Sequence, residues 1–297
     1  MDRLESMSML VAVTEAGSLS AAGRRLNVPL TTVSRKIADL EAYLGSQLIQ
    51  RSSRRITLTE AGATYIDACR RILEQIGEAE RAASGEYQAP RGELIITAPI
   101  VFGRLHMLPV ICDFLKAYPD IAVRMIQADR NVNLLDEHID VALRIGRLPD
   151  SSMRATRVGS VSRVVCASPA YLTARGMPAA PEELTGHDCI TSDVLTAATD
   201  WIFMRGEAEF TVAVRSRLFV STSEASIDAA TAGLGLTRVL SYQVAGALAD
   251  GRLNRVLRPF EPAELPVSLV HPGGRLVPLK LRAFLDFAAP RLKARLI

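Results

Sequence analysis

The segment from residue 24 to residue 45, RRLNVPLTTVSRKIADLEAYLG, constrains the fold of this chain most strongly. It holds the end of one helical pattern and all of a second, and only Asn-Val-Pro separates them. The second pattern has apolar residues at the spacing of one helix face: Val33, Ile37, Leu40 and Leu44. Two short helices joined by so tight a turn form a helix-turn-helix, with the polar side of the second helix facing outwards.

Flanking signals complete a small N-terminal domain. A first helix is predicted over residues 4–16, where Gly17 ends it, and Ser18 is a good N-cap for a second helix over 19–26. The third helix is expected over 29–44. Two short β-like runs, 47–50 and 55–58, then surround a Ser-Ser-Arg tip and predict a β wing. We therefore expect a winged helix-turn-helix domain over residues 1–58.

The charge of the chain is concentrated in this domain. Residues 1–58 carry eight basic and five acidic side chains, a net charge of +3, which equals the formal net charge of all 297 residues. The remainder of the chain is neutral. A basic head on a neutral body favours nucleic-acid binding driven by counterion release, although so small an excess also arises by chance.

If the third helix enters a major groove of double-stranded DNA, its first residues meet the base edges. The residues expected to contact bases are Thr31, Thr32, Ser34 and Arg35, of which Arg35 has the geometry to read guanine. The residues expected to hold phosphates are Ser18, Arg24, Lys36, Arg51, Arg54 and Arg55. For each residue the alternative is a solvated surface side chain.

A long helix is predicted over residues 59–83, capped by Thr59. Small and apolar residues recur along it at nearly coiled-coil spacing: Ala61, Tyr65, Ala68, Ile72, Ile76, Ala79 and Ala83. This seam predicts a dimerisation helix, the alternative being a helix that packs along its own domain. Residues 84–91, with Ser, Gly and Pro and no periodicity, are typical of a hinge.

From residue 92 onwards strand-like runs alternate with helical patterns, which predicts an α/β domain over 92–297. Its length is enough for two lobes, about 92–162 with 267–297 and about 163–266. Strands are expected over 94–98, 121–127, 141–145, 163–167, 219–221 and 234–238, and a helix over 133–138. A cleft for a small molecule is expected between the lobes, where strand ends meet helix N-termini.

Polar residues at these strand ends are the candidates for effector binding: Thr97, Ala98, Pro99, Ile100, Asp129, Asn131, Arg144, Gly146, Thr222 and Ser223. The helix N-terminus after Thr97 is a natural position for an anion. Hydroxyls such as those of Thr222 and Ser223 are more often helix caps than ligand contacts. The expected ligand is a small organic acid or a polar aromatic compound.

Enzymatic chemistry has little support in the sequence. The four histidines share no metal-ligand spacing, no nucleotide-loop or hydrolase motif occurs, and we predict neither a metal nor a cofactor. Four scattered cysteines and the lack of a leader or a long apolar run favour the cytoplasm. Cys166 and Cys189 are either redox sensors or buried bystanders, and the apolar run around Cys166 favours the second. An α/β enzyme with an assembly head, or an architectural DNA-binding protein, remain as alternatives.

The chain resembles the LysR-type transcriptional regulators. The resemblance is most specific in MDRLESMSMLVAVTEAGSLSAAGRRLNV and TVSRKIADLEAYLGSQLIQRSSRRITLTEAG, and it extends to DVALRIG, CASPAYL, ATAGLGL and DGRLNRVL. It implies a winged helix-turn-helix, a dimerising linker helix, a periplasmic-binding-protein-like effector domain, a homotetramer on promoter DNA, a small-molecule inducer and contact with RNA polymerase. One departure is that Pro29-Leu30-Thr31 stands where the family usually has Ser-Gln-Pro, so a glutamine that pairs with adenine is missing.

Overall fold

In this computed structural model, polar side chains cap the starts of the first two helices of the N-terminal unit. Its elements are α1 (Arg3–Ala16), α2 (Leu19–Leu26), α3 (Leu30–Leu44), β1 (Ile49–Arg51), β2 (Ile56–Leu58) and α4 (Glu60–Ser84). The side chain of Asp2 accepts the backbone N–H groups of Leu4 and Glu5, and that of Ser18 accepts from Ala21. These bonds satisfy donors that have no partner within the helix. The helices therefore begin within a residue or so of their expected positions.

The structure describes residues 2–51, 56–84, 89–130, 133–134, 136–149, 152–192, 199–273 and 277–296, with backbone alone at residues 51, 75, 78, 79 and 81–84. The chain forms two compact units, Met1–Ala89 and Pro90–Ile297. Among the described residues, no helix is long and apolar enough to cross a membrane.

The turn between α2 and α3 depends on a glycine and an asparagine. Asn27 adopts φ 55°, in the left-handed region that asparagine tolerates, and the N–H of Val28 donates to the Gly23 carbonyl at 2.9 Å. A Cβ atom on Gly23 would lie only 2.9 Å from the Val28 carbonyl oxygen. The two helices can therefore approach closely, and Ala22, Val33 and Ile37 share one buried core with α1.

Helix α4 is fastened to the wing by its first turn. The hydroxyl of Thr59 accepts the N–H of Gly62 at 2.9 Å and donates to the Gln47 carbonyl at 2.7 Å. A Cβ atom on Gly62 would lie 1.9 Å from the Leu48 carbonyl oxygen, so only glycine permits this approach. Ile66, on the same side of α4, is buried in the core of the unit.

The second unit is an α/β domain of two lobes. Its strands are β3 (Gly92–Ala98), β4 (Ile121–Gln127), β5 (Val141–Ile145), β6 (Met153–Val161), β7 (Arg163–Ala167), β8 (Cys189–Ser192), β9 (Asp200–Arg205), β10 (Ala208–Ala213), β11 (Ser216–Val220), β12 (Leu236–Leu240), β13 (Asn254–Val256) and β14 (Leu265–Pro272). Its helices are α5 (Ile100–Phe102), continued by a π-helical turn (Gly103–Met107), α6 (Leu108–Ala117), α7 (Pro169–Arg175), α8 (Ser223–Thr231), α9 (Ser241–Ala249) and α10 (Leu279–Arg295). Single 3₁₀ turns lie at Pro181–Gly186 and Arg258–Phe260.

Each lobe is built on a five-stranded sheet. Lobe I has the strand order β4-β3-β5-β14-β6, and lobe II has the order β11-β8-β12-β7-β13, while β9 and β10 form a separate hairpin. Strands β3, β4 and β5 run parallel, as do β8, β11 and β12, so the carboxyl ends within each set share one edge. The chain passes from the end of β6 to the start of β7 through Ser162 alone. The end of β6 and the start of β7 lie at the carboxyl edges of the lobe I and lobe II parallel strands. These two edges therefore face each other, as the alternation of strands and helices predicts.

Several local expectations differ from the structure. Where a helix was expected over residues 133–138, residues 134 and 136–138 form turns, and His138 takes φ 56°, which ends any helical path. Strand β6 was not expected, because MRATRVGSV at the edge of a sheet lacks regular apolar alternation. The β9–β10 hairpin and the strands β8, β13 and β14 were not expected either. Strand β14 begins at Leu265, two residues before the expected boundary between the lobes.

Replacing Gly62 by alanine should lower the free energy of unfolding by about 1–3 kcal/mol, because the new methyl group forces α4 away from Leu48. Urea unfolding of the full chain, followed by helical circular dichroism, measures this. The control is Ala63→Ser at the next position, which is exposed. Equal stability of Gly62→Ala and Ala63→Ser would contradict the close approach of α4 to the wing.

Candidate nucleic-acid interface and ligand cleft

Helix α3 separates its apolar and polar residues onto two faces. Val33, Ile37 and Leu40 are completely buried against α1 and α2. On the other side Thr31 and Arg35 are exposed, and Thr32 and Ser34 are half-buried. Because the core stripe fixes the rotation of the helix, the first two turns of α3 present hydroxyl groups and a guanidinium to solvent.

The basic residues around this face are not equivalent. Lys36 forms an ion pair with Glu5 of α1 and keeps only 19% of its side chain exposed. Arg24 and Arg35 are exposed, and neither has an ion-pair partner among the described residues. The hydroxyl of Ser18 already accepts an N–H of its own helix. Arg24 and Arg35 are therefore the accessible cations of this face.

The wing is described in its two strands but not at its tip. Arg51 ends β1, which pairs antiparallel with β2 in the register Arg51↔Ile56. The side chain of Arg51 and the whole of Arg54 and Arg55 lie outside the described residues. The β wing is thus present where the sequence predicts it, and the placement of its arginines stays a prediction.

In the second unit, the wall of lobe I carries a carboxylate of the protein itself. The N–H of Ile100, at the start of α5, donates to Asp129 Oδ1 at 3.0 Å. Burial and the nearby Glu224 raise the pKa of Asp129 above its ordinary value, against the effect of that hydrogen bond. The helix N-terminus at Pro99 and Ile100, expected to receive a ligand anion, therefore already has one. Ala98, just before it, is buried in the core of the lobe.

Two buried hydroxyl groups lie at the facing edges of the two sheets. Thr97 in β3 and Ser223 at the start of α8 are both buried, and neither hydroxyl has a hydrogen-bond partner within the part of the chain that the structure describes. The neighbouring Thr222 is a helix cap, since its hydroxyl accepts the N–H of Ala225 at 3.2 Å. The lobes approach each other here, because the ring of Tyr242 in α9 of lobe II lies 5.2 Å from the ring of Phe102 in α5 of lobe I. Burial, with a smaller effect of Asp129, raises the pKa of Tyr242.

Arg144 and Gly146 close the other side of the lobe I edge. Burial lowers the pKa of the half-buried Arg144, and the nearby Glu137 acts against this shift. Gly146 takes φ 113°, and its N–H donates to the Pro266 carbonyl at 2.8 Å. Asn131 lies outside the described residues. The predicted residues are thus found at one edge, with Thr97 in the sheet and Ser223 across from it.

Sequence analysis missed a buried cation in lobe II. Arg238, in the central strand β12, is only 8% exposed, and its guanidinium lies 5.4 Å from the centre of the Trp201 ring. Burial and the neighbouring Arg163 lower the pKa of Arg238 to about 10, so the side chain still carries its charge at neutral pH. The signal was present in the sequence as an arginine within the otherwise uncharged strand LTRVL.

Family models match both units of the chain. Residues 4–63 match the bacterial regulatory helix-turn-helix protein, lysR family, and residues 87–293 match the LysR substrate binding domain. The chain belongs to the LysR family. This LysR-type protein is a ligand-responsive, DNA-binding transcriptional regulator. The alternative of an enzyme is therefore wrong.

Relatives of this LysR-type regulator are similar over most of their length. An HTH-type transcriptional regulator of Xanthomonas campestris is 36% identical over 97% of this chain and 85% of its own. The full-length structure of the Vibrio cholerae virulence activator AphB is 27% identical with a TM-score of 0.61, covering 96% of this chain and 98% of its own. CrgA from Neisseria meningitidis is 29% identical with a TM-score of 0.62, covering 97% and 98%. The two-lobed α/β domain behind a helix-turn-helix is thus confirmed as the fold.

The environment of the two lobe II cysteines favours the bystander interpretation. Cys166 and Cys189 are fully buried, and burial raises the pKa of each thiol to about 12. Cys112 on α6 is exposed. The described residues include no grouping of His, Cys, Asp and Glu that would hold a metal ion. Because the thiolate is the reactive form, Cys166 and Cys189 are poorly suited to redox sensing in this conformation.

Alkylation with iodoacetamide at pH 8 should therefore modify Cys112 and leave Cys166 and Cys189 intact in the folded protein. A thiol of pKa about 12 is a thiolate in about one molecule in ten thousand at that pH, and burial blocks the reagent as well. Peptide mass spectrometry before and after denaturation gives the measurement. Rapid native labelling of Cys166 would argue for a reactive thiol.

Proposed function

We propose that α3 enters the major groove of operator DNA and that Thr31, Thr32, Ser34 and Arg35 contact base edges. The observation that carries this proposal is the exposure of Thr31 and Arg35 opposite a fully buried apolar stripe. The exposed Leu30 follows Pro29 at the start of the helix and offers an apolar contact where a thymine methyl group lies in the groove.

Phosphate contacts come chiefly from Arg24. Ser18 and the wing residues Arg51, Arg54 and Arg55 are the further candidates for such contacts. Lys36 contributes less than its charge implies, since Glu5 neutralises it in the folded head. Contacts of this kind position the protein and make binding salt-dependent without reading sequence.

Self-association is proposed through α4. Ile66 and Cys69 point into the core of the head, whereas Ile72 is 38% exposed and Tyr65, Ala68 and Ile76 are half-buried on an adjacent stripe. Ala79 and Ala83 belong to the same seam, and their side chains lie outside the described residues. Two such stripes bury each other in a dimer, and two dimers give the homotetramer that the family implies. Promoter binding would take place in the cytoplasm, in contact with RNA polymerase.

The effector site is proposed at the facing edges of the lobes, in the domain of residues 92–297, behind the linker of 59–83 and the hinge of 84–91. The unpartnered hydroxyls of Thr97 and Ser223 support it, because a buried polar group without a partner is costly and a ligand would satisfy it. Asp129, Arg144, Gly146 and Thr222 lie along the same edges. A ligand that binds one arrangement of the lobes better than another shifts the regulator between two states.

The Arg35→Ala variant should bind operator DNA about ten- to a hundredfold more weakly, as the loss of a bidentate guanine contact would produce. Fluorescence anisotropy with the promoter of the adjacent gene, at two salt concentrations, measures it. The control is Arg124→Ala, which removes an exposed arginine of β4 in the second unit and should leave affinity unchanged.

Binding of wild-type protein should weaken steeply as salt rises, because phosphate contacts release counterions. Affinity that does not respond to salt, or equal affinities of Arg35→Ala and Arg124→Ala, would overturn the assignment of α3 as the reading helix.

Ile72→Glu should dissociate the dimer, since it places two carboxylates in an apolar seam. Sedimentation velocity across a concentration series gives the dissociation constant, which we expect to rise at least tenfold. Ala63→Glu, on the exposed opposite side of α4, is the matched control. Equal dissociation constants for Ile72→Glu and Ala63→Glu would show that the dimer interface is not formed by this stripe of α4.

A further inference from the structure

The strand β12 in the middle of lobe II holds a charged side chain where its neighbours are uncharged and buried. All five residues from Leu236 to Leu240 are buried, and Arg238 is the third. Among the described residues, its Nη1 has no hydrogen-bond partner and is shielded from solvent, while its Nη2 donates to the Asp200 carbonyl at 3.4 Å. An arginine remains protonated at neutral pH, so one end of a buried cation is left unsatisfied.

A second arginine lies beside Arg238 on the same face of the sheet. In the antiparallel pairing of β12 with β7, Arg238 is opposite Val165 and Leu240 is opposite Arg163. Directly opposite residues share a face, so Arg163 and Arg238 are diagonal neighbours. Arg163 is itself partly buried, and burial lowers its pKa against the influence of Glu209. Like charges at diagonal positions repel, and no described carboxylate forms an ion pair with either.

The position of the two arginines relates them to the ligand cleft. Arg163 begins β7, directly after the crossing residue Ser162, and Arg238 lies two residues before the carboxyl end of β12. Both are therefore at the edge of lobe II that faces lobe I, together with the end of β11 and Ser223. The β9–β10 hairpin covers this face with Trp201, whose ring packs on the Arg238 guanidinium.

We propose that Arg238 and Arg163 form the subsite that receives an oxyanion group, a carboxylate or a phosphate, of the small-molecule effector. This inference rests on the proposed effector cleft and deepens it. The helix N-terminus at Ile100 on the lobe I wall does not receive the same group, because Asp129 already occupies it and Glu224 of lobe II adds a second carboxylate nearby. The anionic end of the effector thus contacts lobe II, and its hydroxyl or carbonyl groups reach Thr97 and Ser223.

The subsite also couples ligand binding to a movement of the lobes or of the β9–β10 hairpin. Nη1 is shielded from solvent in this conformation, so an oxyanion reaches it only when the lobes or the hairpin move. Once bound, it accepts charge-assisted hydrogen bonds from two guanidinium groups that otherwise repel each other. Ligand binding and a rearrangement of lobe II are therefore coupled.

The test uses the full-length protein and thermal unfolding, with isothermal titration for any compound that shifts the midpoint. The probes are acetate, succinate, inorganic phosphate and methyl phosphate, each at matched ionic strength, with acetamide and succinamide as uncharged counterparts. We expect at least one oxyanion to raise the midpoint and its uncharged counterpart to leave it unchanged. A response to the carboxylates alone or to the phosphates alone identifies the source of the oxyanion.

Arg238→Met should abolish the shift, or weaken the dissociation constant roughly tenfold or more, while raising the midpoint of the unliganded protein because an unsatisfied buried charge is removed. Arg163→Met, at the half-buried partner, should weaken binding as well, and it decides the matter if Arg238→Met fails to fold. Arg124→Met is the control for a general effect of salt, and its response should equal that of the wild type.

Oxyanion shifts that persist unchanged in both Arg238→Met and Arg163→Met would overturn the subsite. The oxyanion subsite would also be overturned if only the amides raised the midpoint and Ser223→Ala abolished that rise. The proposed effector cleft would stand in that case. A wild-type protein that responds to none of the probes would likewise count against an oxyanion site. Salt-dependent operator binding, measured on the same preparations, reports on the regulator function separately.

Discussion

The burial of Val33, Ile37 and Leu40 is the constraint on which the N-terminal unit depends. Once one stripe of α3 is committed to the core, the helical period leaves Thr31 and Arg35 outside, whatever their chemistry. The tight turn at Gly23 and Asn27 then sets how α2 meets α3, and Gly62 lets α4 lie against the wing. The exposed face is thus a consequence of packing. This face can bind DNA provided that the basic side chains around it are accessible to phosphates and bases.

The basic side chains of the N-terminal unit differ in how accessible they are. Lys36 and Arg25 are engaged by Glu5 and Glu15 within the head, whereas Arg24 and Arg35 are not paired among the described residues. Counting basic residues therefore overstates the charge available to phosphates, although the sign is right. A head whose cations are partly neutralised internally binds nonspecific DNA less strongly, and base contacts then carry more of the preference for an operator.

The second unit follows a different logic, in which two sheet edges face each other and their polar groups are incompletely satisfied. Thr97 and Ser223 lack partners, Asp129 occupies a helix N-terminus, and Arg238 keeps a buried charge. Unsatisfied groups in a well-packed interior lower stability, so their concentration near one edge is typical of a site that a ligand completes. A ligand anion was expected at the helix N-terminus of lobe I, but Asp129 occupies that position. The arginines of lobe II are therefore the better partners for an anionic group of the ligand.

The sequence by itself determined the helix-turn-helix, its buried stripe, the α/β body and the family, because helical periodicity, caps and strand runs are local patterns. It did not locate β6, whose edge position leaves little apolar alternation, nor β8, β13, β14 and the β9–β10 hairpin, and it predicted a helix over residues 133–138, where residues 134 and 136–138 form turns. Only the tertiary structure decided that Lys36 meets Glu5, that Asp129 caps α5, and that Arg163 and Arg238 share a face. These pairs are far apart in the chain, and long-range contacts depend on strand register and lobe packing, which no local pattern encodes.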